Sequence, residues 1–188
     1  REAFNEARRQ KTLYGEENVF DLSIGNPSAP APRKVVDVIK KLSENVNLDH
    51  QYMCESGYEE VRSKIAGWMN QKYKTSYGIN NIIMTNGVAG GLNMVLRALL
   101  NPGDEVLVFR PYYPAYIGFA ENWNGKIIEV DPGEDFQPDF EDLEGKITKR
   151  TKVVIVNSPH NPTGVIYTKE TATKISEILK SKQKEYGH

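Results

Sequence analysis

Val153-Val154-Ile155-Val156-Asn157-Ser158-Pro159-His160-Asn161-Pro162-Thr163-Gly164 is the stretch on which the reading of the fold turns. Its first four residues form an apolar run, bounded by polar residues and too short for a helix, which predicts a buried strand. Beyond it, Lys169 to Tyr186 carries Ile175, Ile178 and Leu179 at helical spacing. Residues 157–164 therefore form a loop at the carboxyl end of a strand, where open α/β sheets bind ligands. Pro159 and Pro162 fix φ and Gly164 supplies freedom, so the loop is stiff and specified. That stiffness holds the Asn161 amide, a donor and acceptor that never ionises, in one orientation. An ordinary Pro/Gly turn with a capping Asn would use the same residues, so the rest of the chain has to decide.

Upstream, strand and helix patterns alternate. Ile82-Ile83-Met84 reads as a strand, followed by a helix from Val88 to Leu100. That helix carries Val88, Leu92, Val95, Leu96 and Leu99 at 3.6-residue spacing, and Asn101-Pro102-Gly103 stops it. Val106 to Phe109 and Ile127 to Val130 are further strands, with a helix between them that ends near Gly125. Asp139 is a good N-cap for a helix carrying Phe140 and Leu143. Strands alternating with helices argue for an α/β fold built on an open, mostly parallel sheet with right-handed crossovers.

Nearer the start, Tyr58 to Tyr73 predicts a helix with Val61, Ile65, Trp68 and Met69 on its apolar face. Val35 to Leu42 predicts a shorter amphipathic one, and Arg1 to Tyr14 a charged surface helix or arm. Val19 to Ile24 alternates as a half-buried strand does, then runs into Gly25-Asn26-Pro27-Ser28-Ala29-Pro30-Ala31-Pro32. So proline-rich a connector marks a boundary between an N-terminal element, 1–33, and a main domain, 34–188.

The 24 Lys and Arg against 25 Asp and Glu leave no basic stripe for nucleic acid, and no apolar run approaches a membrane span. These features describe a soluble globular protein of cytoplasmic type. The lone Cys54 excludes an intramolecular disulfide and fits a reducing compartment. His50, His160 and His188 have no metal-ligand spacing, which predicts no metal. His160 reads as a structural loop residue, and Glu141, Asp142 and Glu144 as a solvated helix face. Arg1 in place of a methionine reads as a processed, trimmed or partial chain.

In a parallel sheet the loops leaving the strand ends share one edge, and three of them carry unusual residues. Asn86-Gly87-Val88-Ala89 opens a helix, where free amides and the helix dipole favour a phosphate. Gly87, Gly90 and Gly91 are equally explained by tight helix–sheet packing. The spacing is neither a dinucleotide fingerprint nor a Walker loop, which disfavours nucleotide. Tyr112, Tyr113 and Tyr116, between prolines, suit stacking on a flat ring, or plain aromatic packing. With Asn161, the three loops describe a site for a flat, phosphorylated ring.

Taken in order, Ile24-Gly25-Asn26-Pro27, Tyr52 with Gly57 and Val61-Arg62, Asn86-Gly87-Val88-Ala89, Asn101-Pro102-Gly103-Asp104, Pro111-Tyr112-Tyr113-Pro114-Ala115-Tyr116 and His160-Asn161-Pro162-Thr163-Gly164 resemble the class I and II aminotransferases. The resemblance covers almost the whole chain. It implies the fold type I architecture: a three-layer α/β/α large domain with an incomplete mixed, mostly parallel sheet, beside part of a small N-terminal domain. It implies pyridoxal 5'-phosphate as cofactor and amino-group transfer between an L-amino acid and a 2-oxo acid. Gly87, Val88 and Ala89 would hold the cofactor phosphate, Tyr113 would stack on its ring, and Asn161 would bond the ring's phenolic oxygen. Gly25 and Asn161 would bind the substrate carboxylate. Tyr52 would reach the phosphate of a neighbouring subunit, because such enzymes build each site at a homodimer interface. Asn161-Pro162 and Arg110-Pro111 would be cis.

The family's Schiff-base lysine, its aspartate facing the ring nitrogen and its carboxylate-binding arginine are expected beyond His188. Ser63-Lys64 and Ser181-Lys182 lie in helical patterns and lack the glycine and arginine that follow that lysine. The 188 residues alone are therefore expected to be inactive. A carbon–sulfur lyase or decarboxylase of the same fold would use nearly the same residues, and a non-catalytic phosphate- or partner-binding fragment is the reading from a different class.

Overall fold

The computed structural model describes residues 2–22, 25, 27, 29–46 and 52–187. It divides into two compact units, residues 1–52 and 53–188. In the first, α1 (Glu2–Tyr14) leads into a short 3-10 turn, and α2 (Arg33–Ser43) follows the prolines. Pro32, at the N-cap of α2, ends the extended connector and takes no part in side-chain capping. Val35, Val38, Ile39 and Leu42 do share one face of α2, yet none of the described residues of this unit is buried. The strand expected at Val19–Ile24 does not form at Val19 to Leu22, where no neighbouring strand supplies a ladder; Ser23 and Ile24 lie outside the described residues.

The second unit is organised by β1 (Glu105–Phe109), which lies between β2 (Lys126–Val130) and β3 (Thr151–Ile155), parallel to both. Val106, Leu107, Val108 and Phe109 are all buried, the continuous apolar run that a strand covered on both faces requires. Alternate side chains serve opposite layers. Val106 and Val108 join Leu96 and Leu100 of α4 (Gly87–Leu99 and its cap) and Tyr116 and Ala120 of α5 (Ala115–Glu121). Leu107 and Phe109 join Leu143 of α6 (Phe140–Lys146) and Ile175 and Ile178 of α7 (Lys169–Tyr186). The result is the α/β/α sandwich expected from the sequence. Full burial of each such side chain contributes about 1.5–3 kcal/mol.

Local chemistry starts and stops these helices. The Asp139 carboxylate accepts from the amides of Glu141 and Asp142 at 2.9 and 3.0 Å, and Thr168 caps α7 through the Thr171 amide at 3.1 Å. Gly187 ends α7 in the left-handed conformation, φ 79°.

Three expectations need correction. Residues 82–84 are not a strand: among the described residues no strand pairs with them, and their one tie to a distant segment runs from the Met84 amide to Ser56 O at 2.9 Å. In α3 (Glu59–Tyr73) the buried residues are Arg62 and Ala66, while Val61 and Trp68 are exposed. The helix packs against the turn at Ile79–Asn81, which covers a face offset from the apolar stripe. The acidic cluster is not uniformly solvated, because Asp142 accepts from the Asp131 amide at 2.7 Å and pairs with Lys146 at 2.7 Å. No helix among the described residues is long and apolar enough to cross a membrane.

Candidate cofactor site

The turn from Leu100 to Asp104 reverses the chain between α4 and β1, so α4 runs back along the sheet face. Thirteen helical residues span ~20 Å and five strand residues ~17 Å. The first turn of α4 therefore returns to the level at which β1 and β3 end. Leu92, in its N-terminal half, packs in the same cluster as Tyr112 and Tyr116 of the loop after β1. Gly87 to Ala89, Tyr113 and Asn161 thus come to one edge of the sheet.

At the helix start, Asn86 is the N-cap and makes no side-chain cap bond. Gly87 takes φ +70°, and a Cβ there would meet nothing within 4 Å, so an open face lies beside it. Its own amide is occupied, donating to Thr85 O at 2.8 Å, and Thr85 Oγ1 donates to Gly87 O at 2.9 Å. The first-turn amides of Val88 and Ala89 have no intrahelical acceptor and point past the helix end. Gly87, Val88 and Ala89 are all exposed. An uncapped, exposed helix start fits a phosphate group.

In the β1 loop the tyrosines divide their tasks. Tyr112 is half-buried, donates its phenol to Glu129 at 2.6 Å and stacks on Tyr116, with centroids 6.4 Å apart and planes within 9°. Burial first, then the Glu129 carboxylate, pushes the Tyr112 phenol up to about 12. Tyr116 is buried and meets Tyr113 edge-on at 5.7 Å. Tyr113 itself is 44% exposed, with an edge anchored and ring surface left over. Of the three phenols, Tyr112 and Tyr116 pack against the protein, and Tyr113 is left exposed.

The loop after β3 is dense with internal bonds. Asn157 Oδ1 accepts the Asn161 amide at 2.9 Å, and the His160 amide reaches Val165 O at 2.7 Å. His160 is buried, its Nδ1 lies 2.8 Å from Thr163 Oγ1, and its ring stacks on Tyr167 at 5.7 Å. Ser158 Oγ accepts the Tyr167 amide at 3.0 Å. The Asn161 side chain is exposed and makes no hydrogen bond among the described residues, so its donor and acceptor are free for a ligand. Arg110-Pro111 and Asn161-Pro162 are cis, and Ser158-Pro159 is a third cis bond, not expected from sequence.

Gly25 and Tyr52 belong to the first unit and are exposed there. Arg62 enters the sequence reading only within Val61-Arg62, and neither it nor Glu129 is given a role there. Arg62 could have been noticed from its helical phase, one turn before the small Ala66. Nothing in the sequence links Glu129 to Tyr112.

The fold is that of solved amino transferases. The chain belongs to the family of class I and II aminotransferases, which matches residues 17–184. It is 32% identical to an aspartate aminotransferase of Thermotoga maritima, over 94% of this chain and 47% of that protein. It is 34% identical to the glutamate-pyruvate aminotransferase AlaA of Escherichia coli, over 92% of this chain and 44% of that protein. A crystal structure of an amino transferase from Eubacterium rectale superposes with a TM-score of 0.93 at 39% identity, covering 100% of this chain and 48% of that one. The chain thus spans about half the length of the curated relatives it matches.

Proposed function

We propose that this chain carries the phosphate and ring contacts of a pyridoxal 5'-phosphate-dependent aminotransferase that moves an amino group between an L-amino acid and a 2-oxo acid. What supports the reading is the convergence at one sheet edge of an uncapped helix start, a presented tyrosine face and an unpartnered amide. When bound, the cofactor supplies an electron sink for bond breaking at the substrate Cα. The protein's own groups bind and orient. Val88 and Ala89 offer amides to the phosphate, reinforced by the positive end of α4, and Gly87 leaves room for its approach. Tyr113 presents its ring as a plate. Asn161 donates to the phenolic oxygen of the cofactor, favouring its ionised form, and with Gly25 receives the substrate carboxylate.

In this reading 1–33 forms an arm and small-domain segment, and 34–188 the first half of the large domain. Tyr52, fully exposed, reaches the phosphate site of a second subunit in a homodimer. Lys64 stays on a helix surface, whereas Lys182 is largely covered, paired with Glu185 at 3.0 Å and lying over the Tyr186 ring, and neither serves as the catalytic lysine. Residues 1–188 by themselves turn over no substrate. The lone exposed Cys54 suits a cytoplasmic setting.

The test incubates the full chain, meaning the protein extended through the Schiff-base lysine expected beyond His188, with pyridoxal phosphate, candidate amino acids and 2-oxoglutarate, and follows products. A new 2-oxo acid with stoichiometric glutamate is expected. Release of ammonia or carbon dioxide without glutamate would overturn transfer in favour of lyase or decarboxylase chemistry.

A further inference from the structure

Arg62 is a buried charge to which the site described so far gives no task. It is 5% exposed on α3, and among the described residues its guanidinium forms no ion pair. Nε donates to Gly57 O at 3.1 Å and Nη1 to Ile79 O at 3.0 Å. Withdrawing a guanidinium from water for two carbonyls is costly, so the geometry it fixes has to matter.

Those carbonyls belong to two separate stretches of chain. Gly57 closes the turn that begins at Cys54, with its amide on Cys54 O at 2.8 Å, and Ile79 opens the turn leading to residues 82–86. The same stretches meet again where the Met84 amide donates to Ser56 O. They are pressed close there: Gly57 has φ +94°, and a Cβ on it would lie 2.5 Å from Met84 Cγ. Only Thr85 and Asn86 separate this junction from Gly87. Among the described residues, 82–85 sit in no strand, and the Arg62 fork and the Ser56–Met84 bond tie this segment to the 54–57 turn.

We propose that Arg62 is a positioning residue for the anion cradle at Val88 and Ala89. Its planar fork holds the 54–57 turn against the 79–84 segment and thereby aims the first turn of α4. Lysine replaces it only in part, because an ammonium can donate to a carbonyl but lacks the guanidinium's fixed fork geometry. The inference rests on the cradle being a phosphate site.

The experiment measures the affinity of the full chain for pyridoxal phosphate and for pyridoxal, which lacks the phosphate, in wild type, Arg62→Met and Arg62→Lys. In the wild type the phosphorylated form binds more tightly. Arg62→Met lowers that preference about tenfold to a hundredfold, leaves pyridoxal affinity unchanged, and shifts the phosphorus resonance of the bound cofactor. Arg62→Lys falls between them. Equal loss for both ligands would mean a general structural role and overturn the proposal, as would a preference unchanged in both variants. If Arg62→Met does not fold, Arg62→Lys decides alone, and an unchanged preference overturns the idea. A wild type that binds the two ligands equally would sink the cradle reading instead.

Discussion

The loop at 157–165 and the segment at 82–89 both deliver residues to the same sheet edge, and they are built in opposite ways. The first is tied internally by Asn157, His160 and Thr163, and stands on the buried Tyr167. The second has local bonds from the Ile82 amide to Ile79 and between Thr85 and Gly87, one amide bond to the distant Ser56, and an uncapped helix start. A loop that must aim a side chain is fixed from within. A segment that offers its own backbone leaves the Val88 and Ala89 amides unbonded and is braced from outside, through Gly57 and Arg62.

The largest test of this contrast is His160→Ala. It removes a buried ring and the Thr163 bond, and should cost about 2–4 kcal/mol in denaturant unfolding of the full chain. A loss below about 0.5 kcal/mol, the size of an ordinary surface change, would mean the loop is not fixed from within. Next comes Gly57→Ala, which sets a Cβ against Met84 at a left-handed φ and should cost about 1–3 kcal/mol. Its effect should extend to weaker phosphate binding; stability loss without that change would show that the brace does not reach the cradle.

The fold was legible wherever a signal was local. The helix at 169–186 and the Asp139 cap were readable because periodicity and capping are properties of neighbouring residues. The apolar run of β1 was readable because a strand covered on both faces needs no alternation. Residues 82–84 failed because a strand exists only with a partner, and three apolar residues say nothing about one. The α3 stripe misled for a similar reason: its buried face is set by the turn at 79–81, far along the chain. At the site, Asn161 and Tyr113 stood out through proline spacing, whereas the Glu129–Tyr112 contact is made by folding and no spacing encodes it; for Arg62, helical phase hints at burial but not at its partners.

A pH titration gives a smaller effect. Burial pushes Tyr167 up to about 12, and Tyr112 reaches about 12 through burial and Glu129. Both lie above the ordinary tyrosine value of about 10, so the fold retains their protons. Their contribution to stability is intact below pH ~10 and is lost as pH rises through ~12. Ultraviolet titration should show Tyr112 and Tyr167 ionising late, with Tyr116 also raised by burial, and Glu129→Gln should bring the Tyr112 transition down. Tyr167 Oη has no partner among the described residues, so Tyr167→Phe should remove one late transition and change stability by no more than about 1 kcal/mol.

The smallest change in stability belongs to Asn161→Ala, within about 0.5 kcal/mol, since its side chain holds nothing in the protein. In the cofactor-loaded full chain the same substitution should raise the midpoint of the visible colour change with pH, because a donor to the ionised oxygen is lost. An unmoved midpoint would separate Asn161 from the ring.

The central placement of β1 also sets an order of assembly. Glu105 pairs with Lys126 on one side and Thr151 on the other, and the second partner lies more than twice as far along the chain. Closing the longer loop costs more chain entropy, though the cost grows only logarithmically, by about 0.6 kcal/mol per doubling. The shorter crossover therefore favours β1, α5 and β2 as the nucleus, with β3 arriving on a template already formed. Pulse-labelled exchange during refolding of the full chain should protect the amides joining β1 to β2 before those joining β1 to β3. The loop bearing Asn161 would then be the later of the sheet-edge loops to reach its place, and the ring site would close only once the third strand has docked.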